Sequence, residues 1–262
     1  MKVITSLKNP IYRNYLRLNQ KKYRESLGKF LIEGENIVLE ALYSGLSDEV
    51  LISEECIGAY PEIESFSEVN KVFIKGNLFK KVARTKNSQG VIAVVKSSLM
   101  PEDDFMDFLN KNSGHILILD RLQDPGNIGT MIRTAEAVGY AGIVILKGTA
   151  DVFSPKVVRA AAGSVLRMNM TLVDTCEKVK DICDSTGRSL IGTKVVDATD
   201  LEDYQIRGDI ALVIGNEGNG MSREFELLAD ENITISMPGG TESLNAAVAC
   251  GIIMYKTMKG RI

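Results

Sequence analysis

The sequence predicts an α/β protein in two parts, a small α/β domain followed by a larger domain built on a parallel sheet. Three observations predict it. Strand-like apolar runs alternate with helical segments along most of the chain. In the second half those runs are almost wholly apolar, as in strands covered on both faces of a parallel sheet. Between the halves, residues 97–113 open with SSLMPEDDF, a proline followed by acids, and this stretch reads as a linker.

Taken in order, residues 3–30 read as a basic, largely helical arm, with Tyr12, Leu16 and Tyr23 as its apolar contacts. FLIEG then reads as a strand, NIVLEALYSG as a helix closed by Gly45, and EVLIS, KVFIK and VIAVV as further strands. Residues 1–96 are therefore expected to form the first domain and residues 114–262 the second. In the second, strands HILILD, GIVILK, MNMTLV, SLIGTK and IALVIG alternate with helices NIGTMIRTAEAVG, SPKVVRAAAG and CEKVKDICDS.

Bulk composition narrows the function classes. Of the 262 residues, 45% are hydrophobic and 25% charged, ordinary values for a globular protein. No apolar run approaches membrane-spanning length and the N-terminus carries no apolar leader core, so a cytoplasmic protein is expected. Cys56, Cys176, Cys183 and Cys250 form no metal-ligand spacing and are expected to be structural thiols, with no metal site. The one histidine, His115, precedes a strand and reads as structural, so proton transfer must proceed without histidine.

The net charge of −3 looks wrong for a nucleic-acid binder, but its distribution does not. Residues 1–30 carry eight basic side chains against one acidic one, Glu25. Arg13, Arg17, Lys21, Lys22 and Arg24 in this arm, with Arg84 and Lys86 in a second basic cluster, are the candidate RNA-binding residues.

Three loops carry the chemistry. The first, DRLQDPGNIGTMIRTAEAVG, takes a strand through an Asp124-Pro125-Gly126 turn to a helix, with Asn127 expected at the N-cap. Ile128, Ile132, Ala135 and Val138 follow core spacing, which leaves Arg133 free to project. The second, ALVIGNEGNGMS, runs a buried strand into a glycine-rich turn holding Glu217, and matches neither the dinucleotide nor the P-loop pattern. The third, ITISMPGGTESLNAAVACGIIMYK, passes a Pro-Gly-Gly turn and Ser243-Leu244-Asn245 into a helix apolar almost all round, suited to a core or a subunit interface.

In this order the loops closely resemble the three motifs of the SpoU/TrmH branch of the SPOUT RNA 2′-O-methyltransferases. Asp124 to Gly129 with Arg133 match the first motif, Gly215 to Gly220 the second, and Met237 with Ser243-Leu244-Asn245 the third. The N-terminal half resembles the substrate-binding domain that many such enzymes place first. The resemblance implies a deep trefoil knot, formed by the chain from about Leu190 to Tyr255, and a homodimer whose active sites draw on both subunits. It implies S-adenosylmethionine as cofactor, bound by Gly192, Thr193, Gly215, Asn216, Glu217, Gly218, Ile235, Met237 and Leu244. Catalysis would fall to Arg133, Asn127, Glu217, Ser243 and Asn245, with Glu217 orienting an arginine. Arg133 stands either as the base or as a clamp on the adjacent phosphate, since a guanidinium normally stays protonated. The implied reaction is methyl transfer to a ribose 2′-hydroxyl, expected in rRNA. A tRNA target, or a non-catalytic RNA-binding or ribosome-assembly role, are the alternatives.

Overall fold

A computed structural model describes residues 3–85, 87–241 and 243–259; the RNA-binding candidate Lys86 lies outside the described residues. The chain divides into two compact units, residues 1–97 with 153–166, and residues 98–152 with 167–262.

The first unit opens with β1 (Val3–Ile4), α1 (Pro10–Arg17) and α2 (Lys21–Leu27). It continues through β2 (Lys29–Glu33), α3 (Glu35–Tyr43), β3 (Ser47–Ser53), α4 (Pro61–Ser65), β4 (Asn70–Ile74), α5 (Gly76–Val82) and β5 (Val91–Lys96). The sheet order is β1-β4-β3-β5-β2, with β5 antiparallel to both of its neighbours. α1 begins where it does because Asn9 accepts the Ile11 and Tyr12 amides (2.9 and 3.2 Å) and Pro10 fills the first turn without a lost donor. It is no free arm. Tyr12, Tyr15 and Leu18 are buried in a cluster with Leu78, Phe79 and Val82 of α5, and the Tyr12 hydroxyl donates to the Leu78 carbonyl at 3.0 Å.

In the second unit come β6 (Leu99–Met100), α6 (Glu102–Lys111), β7 (Ile116–Leu119), α7 (Pro125–Ala137) and β8 (Gly142–Leu146). The chain then forms α8 (Pro155–Ala161) and α9 (Ser164–Arg167). After β9 (Met170–Val173) follow α10 (Cys176–Ser185), β10 (Ser189–Thr193), β11 (Thr199–Asp200), β12 (Ile210–Ile214), α11 (Arg223–Leu228), β13 (Glu231–Thr234) and α12 (Ala246–Lys259). Eight strands pair in the order β11-β13-β10-β12-β7-β8-β9-β6, every ladder parallel. The central strands β7, β8 and β12 are buried at every position, as their apolar sequences require.

Two expectations about organisation change. Of the stretch read as a linker, 97–113, all but its first residue is built into the second unit: β6 extends the sheet beside β9, and α6 buries Phe105 and Leu109. Three acids in the first turn of α6 favour a helix start there. Conversely, residues 153–166, expected within the second domain, belong to the first unit. Phe153 stacks on Phe30 of β2 with ring centroids 4.5 Å apart, and α8 buries Val157 and Val158.

Buried polar side chains brace the second sheet away from its loops. Arg188, 3% exposed, donates to the Gly114 and Asn112 carbonyls at 2.8 and 2.9 Å, tying the end of α6 to β10. His115, 1% exposed, accepts the Ile210 amide on Nδ1 at 3.1 Å, which links β7 to β12.

Candidate active site

The site sits where loops of a parallel sheet carry function, at the C-terminal ends of β7, β12, β10 and β13. Local chemistry shapes each loop. At the end of β7 the N-cap of α7 is Asp124, not Asn127: its carboxylate accepts the Gly126 and Asn127 amides at 2.7 and 3.0 Å, and Pro125 occupies the first helical position. Asn127 therefore sits inside the first turn, with its side chain free for longer-range bonds. Gly215, after β12, is dictated by close approach: a Cβ there would overlap the Met221 amide nitrogen and the Gly220 carbonyl carbon. Asn216 braces the turn, donating to the Arg121 carbonyl at 2.9 Å and accepting the Gly218 and Asn219 amides.

One side-chain chain joins the three motif loops. Glu217 accepts the Gln123 and Asp124 amides, at 3.0 and 2.9 Å, and the Asn127 side-chain amide at 3.2 Å. Asn127 in turn accepts the Asn245 amide at 2.9 Å. Asn245 caps α12 through the Ala247 and Val248 amides. Within this chain, backbone donors and Asn127 take up the Glu217 carboxylate, and none of these three bonds comes from an arginine. Burial alone would raise the carboxylate's proton affinity, but these hydrogen bonds prevail and hold Glu217 below the usual carboxylate range. It stays an acceptor at neutral pH.

Beside this chain lies a cavity of about 490 Å³, a size that suits a nucleoside-like ligand. Of the expected cofactor residues, Thr193, Gly215, Asn216, Glu217, Gly218, Ile235, Met237 and Leu244 line it, as does Ser243. Gly192 does not. It is buried behind the wall, where a Cβ would meet Met221 Cε at 2.6 Å. Asn127 and Asn245 line a second, open groove between α7 and α12, with Thr130, Ala247, Val248, Gly251, Ile252 and Tyr255. Arg133 is exposed on α7 and lines neither.

Sequence reasoning missed several residues. Buried Asp120 accepts the Ser222 amide (2.7 Å) and Arg121 Nε (3.0 Å), fastening the end of β7 to the glycine-rich loop. Arg121 adopts a left-handed backbone, φ 56°. Lys194, Val195, Val196 and Glu226 also line the cavity. The clue for the valines was their position just past a parallel strand, where ligand loops lie.

In the first unit, Arg13, Arg17, Lys21, Lys22 and Arg84 are exposed, and Arg17 stacks over the Tyr23 ring at 5.4 Å. Arg24 is different. It is 7% exposed and donates to the Leu18 carbonyl at 2.7 Å, so it packs α2 instead of presenting charge. Among the described residues no helix is long and apolar enough to cross a membrane.

Comparison with known proteins fits this arrangement. Residues 114–255 match the model of the SpoU rRNA Methylase family, and residues 9–93 that of the MRM3-like substrate binding domain. The chain is 34% identical, over 97% of its length and 98% of the relative's, to the 23S rRNA (guanosine(2553)-2′-O)-methyltransferase RlmP of Bacillus subtilis. The crystal structure of an AdoMet-bound rRNA methyltransferase from Sinorhizobium meliloti superposes with a TM-score of 0.88 at 28% identity, covering 100% of this chain and 98% of the other. The SpoU methyltransferase AviRb from Streptomyces viridochromogenes, in complex with the cofactor AdoMet, gives 0.84 at 27% identity over 97% and 98%. By motif loops, sheet order and these matches, the chain belongs to the SpoU rRNA methylase family.

Proposed function

We propose that this protein transfers the methyl group of S-adenosylmethionine to a ribose 2′-hydroxyl of rRNA. The observation that carries the proposal is the Glu217–Asn127–Asn245 chain set against a nucleoside-sized cavity. The cavity fits the cofactor in kind. Ile214, Ile235, Met237, Leu244 and Ile253 supply apolar walls for a purine, and the ends of β10, β12 and β13 supply backbone polar groups. S-adenosylmethionine supplies an already activated methyl group.

The protein's part is alignment. Asn127, held from both sides, and Ser243 on the cavity wall position the acceptor ribose, while Glu217 fixes the loops that carry them. Arg133 clamps the neighbouring phosphate through its guanidinium fork, which offers five donors and no acceptor. The knot belongs to the same reading. β13 lies beyond β10 while β12 lies inside it, so the cavity is walled by chain that crosses back over the sheet. The test is labelled methyl transfer from S-adenosylmethionine to unmodified total RNA. Label in large rRNA at a ribose is expected; label in tRNA would redirect the substrate, and no label would retire the activity.

The α7–α12 groove is the surface for a second copy. Val248, Ile252 and Tyr255 on α12 are 52%, 42% and 53% exposed around it, an apolar strip beside Asn127 and Asn245. Pairing through it brings two sets of site residues to one seam. Ile252→Asp should convert a dimer to a monomer by light scattering and abolish methyl transfer; a wild-type monomer at micromolar concentration would retire this assignment.

The first unit binds the RNA. Arg13 and Arg17 on α1, Lys21 and Lys22 on α2, and Lys80 and Lys81 on α5 are exposed, and α1 and α5 pack together. Arg84 joins this surface, donating from Nε to Asn19 at 2.8 Å. Neutralising Lys21 and Lys22 as glutamines should weaken RNA binding and flatten its log–log salt slope by about 1 to 2. An unchanged slope would remove the α2 cations from the interface. Arg24 is left out of this variant because its charge is buried.

A further inference from the structure

One charged pair in the cavity wall is left without a task by the reading above. Lys194, Glu217 and Glu226 are the charged side chains among its lining residues. Glu217 is occupied by its three donors. Glu226 is not. It stands on α11, and its carboxylate has one polar side-chain partner among the described residues, Lys194 at 3.8 Å. That separation is too long for a hydrogen bond. Their side chains are 39% and 23% exposed, and a partly exposed pair of this length adds little to stability. Glu226 thus offers open acceptor capacity in a slot whose other walls are mostly apolar or backbone.

Strand order says which part of a ligand meets it. The loop after β7 leads into α7, which carries Asn127 and Arg133, whereas Lys194 follows β10, two strands away across β12. At one strand spacing per step that is roughly 10 Å. A cofactor whose methyl group faces the β7 loop therefore directs its nucleoside toward the end of the cavity where Lys194 and Glu226 stand. The paired donors a nucleoside offers are its vicinal ribose hydroxyls, and a carboxylate accepts both, as an acidic residue does for ribose in dinucleotide folds. We infer that Glu226 binds the ribose hydroxyls of the cofactor, with the Lys194 ammonium beside its carboxylate in the cavity wall.

This inference rests on the cofactor proposed above, so its test separates the two. Calorimetry of the full-length protein would compare S-adenosylhomocysteine with its 2′-deoxyribose analogue, for wild type and Glu226→Ala. Wild type should prefer the ribose form by about tenfold or more, and the variant should bind it about tenfold more weakly. The variant should also bind the two ligands with nearly equal affinity. Its melting temperature should match wild type, because the replaced side chain is exposed. Discrimination preserved in Glu226→Ala, whatever the absolute loss, overturns the inference and moves the contact to another donor such as the adenine amine. A wild type that binds S-adenosylhomocysteine but not selectively overturns it as well. A wild type that binds neither ligand overturns the cofactor reading, and this inference with it.

Discussion

Arg133→Ala should lower methyl transfer by about 10²-fold or more, the loss expected when a clamp that aligns the acceptor is removed. Cofactor affinity should stay within about twofold of wild type, because Arg133 lines neither cavity. Stability should also hold, since the side chain is exposed on α7 while the core face of that helix is carried by Ile128, Met131, Ile132 and Ala135. Arg133→Lys discriminates the role. A clamp that uses a planar fork loses most of its advantage on replacement by a point charge, and the shape of the pH–rate profile is kept. A profile that shifts with the lysine would instead make this residue the base. Single-turnover methyl transfer across pH, alongside calorimetry, reads both quantities.

Gly215→Ala should be the most damaging single methyl group in the second unit. The added carbon meets backbone on both counts, the Met221 amide nitrogen and the Gly220 carbonyl carbon, so no side-chain rotation relieves it. The glycine-rich turn must shift, and with it the Asn216 bonds to Arg121, Gly218 and Asn219. Forced overpacking of this kind costs about 3 kcal/mol. For a unit of this size, thermal unfolding should fall by about 6–12 °C. Cofactor binding should be lost at temperatures where the variant remains folded, because the turn forms the cavity wall. An unchanged melting temperature would show that the loop relaxes freely, and the close-approach argument for Gly215 would fail. Gly218→Ala is the control: a Cβ there makes only an ordinary van der Waals contact, with Asn216 Oδ1 at 3.6 Å.

The three motif loops were legible because their determinants are local. Glycines, a proline and cap residues act within three or four positions, and their order along the chain identified the family. The strands were legible for the same reason: HILILD, GIVILK and IALVIG differ from the observed β7, β8 and β12 only at their ends. The misreadings share a cause as well. Asp124 and Asn127 are equally good caps by type, and only the preference of Pro125 for the first helical turn decides between them. Proline at 101 pointed to a linker, yet the acids after it and the four-residue spacing of Phe105 and Leu109 mark a helix start. Nothing near Arg24 signals that its guanidinium turns inward to the Leu18 carbonyl. Likewise, Phe153 leaves its sequence neighbours for Phe30, over a hundred positions away. Such pairings depend on which surfaces meet, and periodicity carries no record of that.

The position of β12 has a consequence for the order of events during synthesis. β7 and β10 are both complete before residues 210–214 emerge, yet in the finished sheet they never touch, because β12 pairs with each of them. Two apolar strands must therefore keep a gap open between them, each with an unpaired edge, until a later segment slides in. Direct β7–β10 pairing would bury the same residues sooner and exclude the strand that carries Gly215 and Glu217 to the site. A growing chain that closes early would hold a sheet but no cavity. Prompt emergence of residues 210–214, or a binder that shields those two edges, favours the productive order; parallel, long-range pairing of this kind is intrinsically slow in any case.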